Sequence, residues 1–291
     1  MSSFACVAAA ETAAAPTHID STAPATVIES TAAEGAEAWR PGKRYVEWFS
    51  DKGRVFPVLL ADPREAYFRL GFGRTNDSKT IWDMTFGGDV ALLRTREPGG
   101  TDTSLTVRGV IDPRFQFEDS SFQLQNTDFI GGLAYGWARD AKAYEVFFYH
   151  ESSHLGDEVT PPRESNDFSR EMLRFLASRR FGPLMVYGGP SFATRTTPSS
   201  IDGWIFIQGG GEYDFKVCNQ DMYAALDLKS KQENDWAVNS SLQVGVELGN
   251  PEKVKNRQRV FVEFFTGHTE MGQFVNETES YVLLGVGYTF K

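Results

Sequence analysis

From Glu65 to the C-terminus the chain repeats stretches of about ten residues in which apolar and polar positions alternate, separated by pieces rich in Gly, Asn, Asp and Pro. No window reaches the ~18 consecutive apolar residues that a helical membrane span requires. Period-two alternation puts successive side chains on opposite faces of a strand, so the chain must bury one face and leave the other against lipid or water. Twelve stretches fit: 65–74, 79–95, 103–117, 123–139, 141–153, 168–180, 182–195, 203–214, 221–231, 236–249, 258–270 and 280–290. Twelve is even, as a closed single-chain barrel prefers.

The expected fold is therefore all-β, a transmembrane antiparallel β-barrel of about twelve strands in a bacterial outer membrane. Val282, Leu284, Val286, Tyr288 and Phe290 share one face, with Gly285, Gly287 and Thr289 on the other. Leu242, Val244, Val246 and Leu248 likewise oppose Gln243, Gly245 and Glu247, while Met222, Ala224, Leu226 and Leu228 oppose Tyr223, Asp227 and Lys229. A soluble barrel would turn the apolar set inward. The membrane reading rests on glycines and charges sharing a face, on aromatic strand ends, and on a composition of 27 Gly and 23 Phe. Short connections follow even-numbered strands, as at Arg139-Asp140-Ala141, and the longest, 154–167, follows an odd one. With periplasmic termini that loop lies outside.

Four regions are expected. Residues 1–10 read as a signal-peptide remnant or, equally, as an alanine-rich leader. Residues 11–40, rich in Ala, Thr, Glu and Pro, read as a disordered tether. Residues 41–64 form a periplasmic lead-in whose apolar part is too short to cross a bilayer, and 65–291 form the barrel. A net charge of −10 argues against a nucleic-acid partner, and two cysteines make no disulfide framework. Outer-membrane lipid is the expected partner, with a homodimer as an open option.

The densest run of chemically capable residues is His150-Glu151-Ser152-Ser153-His154-Leu155-Gly156-Asp157-Glu158. It fits H-E-x-x-H, which on a helix would put two imidazoles on one zinc ion with Glu151 as base. The preceding Ala143 to Tyr149 alternates like a strand, and on a strand ~13 Å separates positions four apart. A strand instead sets His150 beside Ser152 on one face, an arrangement for a serine esterase: Ser152 as nucleophile, His150 as base. If the apolar face meets lipid, the pair faces outward at the outer rim of the membrane. Asp157 and Glu158 are the residues expected to hold a cation, with calcium the candidate cofactor. A third reading makes 152–158 a structural clasp in which Ser and Asp satisfy turn amides.

His150-x-Ser152 on a strand resembles the H-x-S element of outer-membrane phospholipase A and of the lipid A 3-O-deacylases, barrels with active sites on the outer wall. That resemblance implies an Asn or Glu on the neighbouring strand to orient the histidine, a role for which Glu164 and Asn166 have the spacing. The Asn-Gly or Asn-Ala that follows the serine in those families is replaced by Ser153-His154. The segments Phe56-Pro57-Val58-Leu59-Leu60-Ala61-Asp62-Pro63 and Ser152 to Glu158 are similar to two motifs of a bacterial outer-membrane barrel family of unassigned function, a resemblance that would span 45–291 and implies no activity. A non-catalytic structural, adhesive or pore-forming barrel is the alternative. The interior charges Arg69, Arg108, Glu145, Glu247 and Glu263 are expected to pair and fill a narrow lumen, and Gly209-Gly210-Gly211 to mark close packing.

Overall fold

The computed structural model describes residues 43–118, 120–157, 159, 168–198, 203–248 and 257–289. After a short strand β1 (Tyr45–Trp48) come twelve long ones: β2 (Phe68–Thr75), β3 (Thr80–Arg96), β4 (Asp102–Glu118), β5 (Ser121–Arg139), β6 (Lys142–Leu155) and β7 (Phe168–Phe181) make one half. The other half is β8 (Leu184–Thr197), β9 (Ile205–Val217), β10 (Gln220–Lys231), β11 (Val238–Leu248), β12 (Arg257–His268) and β13 (Thr278–Thr289). Each of β2 to β13 pairs antiparallel with its sequence neighbours, and β13 pairs with β2 from Tyr281↔Thr75 to Tyr288↔Phe68. The twelve strands thus form a closed antiparallel barrel whose boundaries follow the alternation closely.

Closure leaves two faces with opposite chemistry. Phe72, Phe148, Leu242, Phe264 and Leu284 stand exposed on the outer wall, whereas Arg69, Arg108, Gln243, Glu247 and Glu263 are buried inside. An apolar exterior around a charged interior is the transmembrane arrangement, the reverse of a soluble barrel. Connections 140–141, 182–183 and 218–219 sit at one end with the C-terminal end of β13, and the end of β6 and the start of β7 lie at the other. At 218–219 both Cys218 (φ 48°) and Asn219 (φ 64°) adopt the left-handed conformation that tight hairpins require. Gly210 shows why the triple glycine is needed. A Cβ there would lie 2.2 Å from the Leu226 carbonyl oxygen and 2.4 Å from the Tyr187 hydroxyl.

The lumen charges pair as expected. Arg108 makes a two-pronged contact with Glu145 (3.0 and 2.7 Å) and reaches Asp89 at 2.8 Å. Arg69 bridges Asp83 (3.1 Å) and Glu263 (3.2 Å), and Arg257 pairs with Glu247 at 3.1 Å. Such buried pairs contribute little net stability against apolar substitutes, but removing one partner strands the other.

The lead-in does not stay outside the barrel. β1 pairs with the end of β3, Tyr45↔Arg96 to Trp48↔Leu93, and the chain then enters the lumen as a plug before joining the wall at Phe68. Leu60 and Ala61 pack with Ile81, Tyr223, Phe261, Phe265, Tyr281 and Leu283, and Phe56 and Leu59 with Leu176, Met185 and Tyr187. The physical reason is width: barrel diameter grows with strand number, and eight strands already give an interior that side chains can fill. At twelve, additional chain is accommodated, and the apolar run that is too short to span a bilayer supplies the interior's own hydrophobic core.

Candidate functional site

The β6 segment holds the chemically dense run as a strand, because Tyr144, Val146 and Phe148 face outward while Ala143, Glu145 and Phe147 are buried within. The same alternation divides the run itself. His150, Ser152 and His154 continue the outward set, and Glu151 and Ser153 the inward one. This removes the H-E-x-x-H metallopeptidase reading. The motif needs one helical face, but here Glu151 points to the opposite side from both histidines and ion-pairs with Arg64 at 2.8 Å. His154 instead packs edge-on against the Phe129 ring, 5.5 Å between centroids.

On the outward face His150 has a partner that the spacing argument missed. The register sets His150 directly opposite Glu171 on β7, and His150 Nδ1 lies 2.9 Å from Glu171 Oε1. Both are partly exposed, with side chains 50% and 30% accessible. A carboxylate that accepts from Nδ1–H fixes the tautomer in which Nε2 carries the free lone pair. Ser152 follows two positions on, opposite Ser169, and among the described residues its hydroxyl has no hydrogen bond to His150. Glu164, Asn166 and Glu158 lie outside the described residues. Asp157 is exposed, and among the described residues no cluster of three or more His, Cys, Asp or Glu side chains is arranged around a common metal position.

The inward residues of the run belong to a second cluster. Ser153 Oγ donates to Asn126 Oδ1 (2.9 Å) and accepts from the Gln273 amide (3.1 Å), tying β6 to the 269–277 connection, and the Gly272 amide donates to Asp128 at 3.2 Å. Gly156 extends the β5–β6 pairing by donating to the Gln125 carbonyl at 3.0 Å, and a Cβ there would lie 1.8 Å from the Leu124 carbonyl oxygen. Of the structural reading of Ser152 to Glu158, the geometry agrees at Ser153, whose hydroxyl satisfies the Gln273 amide of the 269–277 connection.

Beneath this connection Arg64 anchors the plug. It contacts Asp128, Glu151 (2.8 Å), Asp112 (3.4 Å) and the Glu270 carbonyl (2.9 Å). Burial would lower its pKa, but the three carboxylates outweigh burial and raise it well above its ordinary value. Two residues earlier Asp62 accepts from Lys229 at 2.6 Å and from Gln208 at 2.9 Å. In the 269–277 connection, burial would raise Glu270, but Lys229, Lys231 and a hydrogen bond from Asn239 hold its carboxyl well below the usual range.

Residues 8–290 match the family described as "Protein of unknown function (DUF1207)". Among solved structures the barrel is similar to outer membrane phospholipase A from Escherichia coli, with TM-score 0.54 and 15% identity over 77% of this chain and 90% of that one. It is also similar to the Salmonella typhi outer membrane phospholipase, a dimer with bound calcium, with TM-score 0.52 and 15% identity over 80% and 92% of the two chains. No curated protein matches the sequence. At that identity the likeness establishes the fold, and with the apolar outer wall it gives a transmembrane barrel of the outer-membrane type.

Proposed function

We propose that this chain, which belongs to the DUF1207 family of proteins of unknown function, is an outer-membrane barrel that hydrolyses lipid esters on its outer wall. The observation that carries the reading is the His150–Glu171 contact at 2.9 Å, cross-strand on the lipid-facing side and one outward position from Ser152. Glu171 takes the orienting role that spacing had suggested for Glu164 or Asn166. Support also comes from the shared fold of two proteins named as phospholipases.

In the proposed reaction the Ser152 hydroxyl attacks the carbonyl carbon of an acyl ester while His150 Nε2 accepts its proton. Glu171 stabilises the imidazolium that forms. The imidazolium then protonates the departing lipid alcohol, leaving Ser152 acylated. Water attacks this ester with His150 again as base, releasing a fatty acid and restoring the hydroxyl. In this reading Ser152 Oγ closes on His150 Nε2 as the ester binds, because catalytic hydrogen bonds tighten in the substrate complex. A cation at Asp157 would stabilise the oxyanion, and calcium in the Salmonella protein makes that ion the one to test. The dimer described for that protein makes self-association part of the proposal.

The test is fatty-acid release from phospholipid by the refolded barrel, with and without calcium, for the native chain and for Ser152→Ala, His150→Ala and Glu171→Ala. Release that disappears in the first two variants while heat-modifiable migration persists supports the esterase. A native chain that releases nothing from phospholipid or from lipid A overturns it. That outcome would leave a non-catalytic barrel, structural or adhesive and not pore-forming, because the plug fills the space a pore would need.

A further inference from the structure

The barrel wall is incomplete on one side. β2 pairs with β3 only from Arg69↔Thr85 to Arg74↔Thr80, and β1 takes up the same edge only from Leu93 onward. Between them, among the described residues, Phe86 to Ala91 pair with β4 alone and leave a notch facing the end of β13. The notch lies towards the end that carries the two-residue turns 140–141, 182–183 and 218–219, the periplasmic end in barrels of this type.

Behind the notch is a cavity of about 500 Å³ between the plug and the wall. Its lining includes the inward Asp89 and Ala91 and also the outward Gly88 and Val90 of the same strand. The cavity therefore wraps around the open β3 edge and reaches the outer, apolar surface. Val55, Pro57 and Val58 of the plug give it an apolar side.

Its other side is cationic, and one of its guanidinium groups has no ion pair among the described residues. Arg54 pairs with Glu65, Arg180 with Asp214 and Arg257 with Glu247. Arg259, 1% exposed, has among the described residues no carboxylate within ion-pair distance. Its guanidinium donates to Thr289 Oγ1 at 2.8 Å, lies 5.0 Å from the Tyr67 ring centroid, and leaves Nε–H without a partner. Glu212, on that side of the cavity, acts on Arg259 through its charge but makes no ion-pair contact with it, and its Oε1 accepts from the Leu60 amide at 2.7 Å. An unpaired buried guanidinium is costly unless an anion neutralises it.

We propose that this cavity binds an anionic phospholipid, with the phosphate on Arg259 and an acyl chain leaving through the notch between β3 and β13. Phosphate chemistry matches the planar donor fork of Arg259. The apolar, laterally open side selects a lipid over a free anion, because only an amphiphile satisfies both walls at once. The inference is independent of the esterase reading, whose residues lie on the opposite side of β6 from the lumen and towards the other end.

The test is binding of phosphatidylglycerol, phosphatidylcholine and inorganic phosphate to the folded full chain in a non-ionic detergent, followed by native mass spectrometry and titration calorimetry. Saturable binding of one phosphatidylglycerol is expected, weakened about tenfold or more in Arg259→Gln and unchanged in Arg139→Gln, an exposed arginine at the same end. Gly88→Trp provides a variant that leaves the buried charge alone: a Cβ at Gly88 meets nothing within 4 Å, so the indole occupies the notch and should weaken lipid binding. Inorganic phosphate that binds through Arg259 while phosphatidylglycerol does not would overturn the lipid assignment. Lipid binding indifferent to both Arg259→Gln and Gly88→Trp would overturn the site.

Discussion

Replacing Arg64 by alanine tests whether the plug is held by charge. The substitution leaves Asp128, Glu151 and Asp112 facing one another in the lumen, with side chains 0%, 12% and 9% accessible. Breaking a buried ion pair by removing one partner costs about 3–5 kcal/mol. At 1.4 kcal/mol for each factor of ten, the population with a displaced plug should rise by roughly 10²- to 4 × 10³-fold. The wall keeps its ladders, because Arg64 precedes β2 and every wall strand remains paired. The expected result is a silent native protein in planar bilayers and transient conductance steps from Arg64→Ala, with heat-modifiable migration retained. Arg64→Lys, which keeps the charge but loses the fork, should fall between them. Steady conductance by the native chain, or an Arg64→Ala barrel as silent and as heat-resistant as the native one, would refute electrostatic anchoring.

Glu171→Gln removes the charge that would stabilise imidazolium while keeping a hydrogen-bond acceptor, and should slow ester hydrolysis roughly 10²-fold or more, measured as fatty-acid release at equal folded protein. Ser153→Ala should lower thermal stability by about 1–3 kcal/mol, because the Asn126 and Gln273 groups it satisfies are buried; unchanged melting would remove the clasp. Glu270 has a folded pKa below its unfolded one, so its contribution is complete above pH 4.5 and is lost as the pH falls further. Unfolding followed by tryptophan fluorescence from pH 6 down should accordingly show an acid-sensitive slice that Glu270→Gln lacks. Gly132→Ala sets a Cβ 2.1 Å from the Phe148 carbonyl oxygen and should reduce the yield of folded barrel, whereas Gly109→Ala, with nothing within 4 Å, should not.

The barrel was legible because lipid outside and charge inside impose period-two alternation on every strand, and a one-residue slip would expose Arg69 or Glu263 to lipid. The plug was not, because nothing local in Phe56 to Pro63 distinguishes a segment before a barrel from one inside it. Asp62 satisfies Lys229, which lies far along the chain, and only closure of the wall brings them together. The same limit hid Glu171. A fixed offset from Ser152 finds the cross-strand neighbour only for a loop of fixed length, and here the residue opposite His150 on β7 is Glu171. Arg259 reads in sequence as one more alternating polar residue, and that it has no ion pair among the described residues is a property of the folded lumen.

The run on β6 sets two groups of contacts on one strand. Inward, Glu151 and Ser153 bind the Arg64 anchor and the 269–277 connection; outward, His150 and Ser152 form the candidate ester-hydrolysing pair. Because alternate residues share one backbone, the inward contacts restrict how far the outward pair can shift relative to Glu171. A site on an outer wall has lipid on one side and no protein packing there to hold it, so its rigidity must come from the lumen side. The plug would then be part of what positions the proposed wall chemistry. On that argument Arg64→Ala should depress ester hydrolysis as well as open the lumen, with Ser152, His150 and Glu171 all intact. A variant that conducts ions yet hydrolyses at the native rate would separate the two faces of β6.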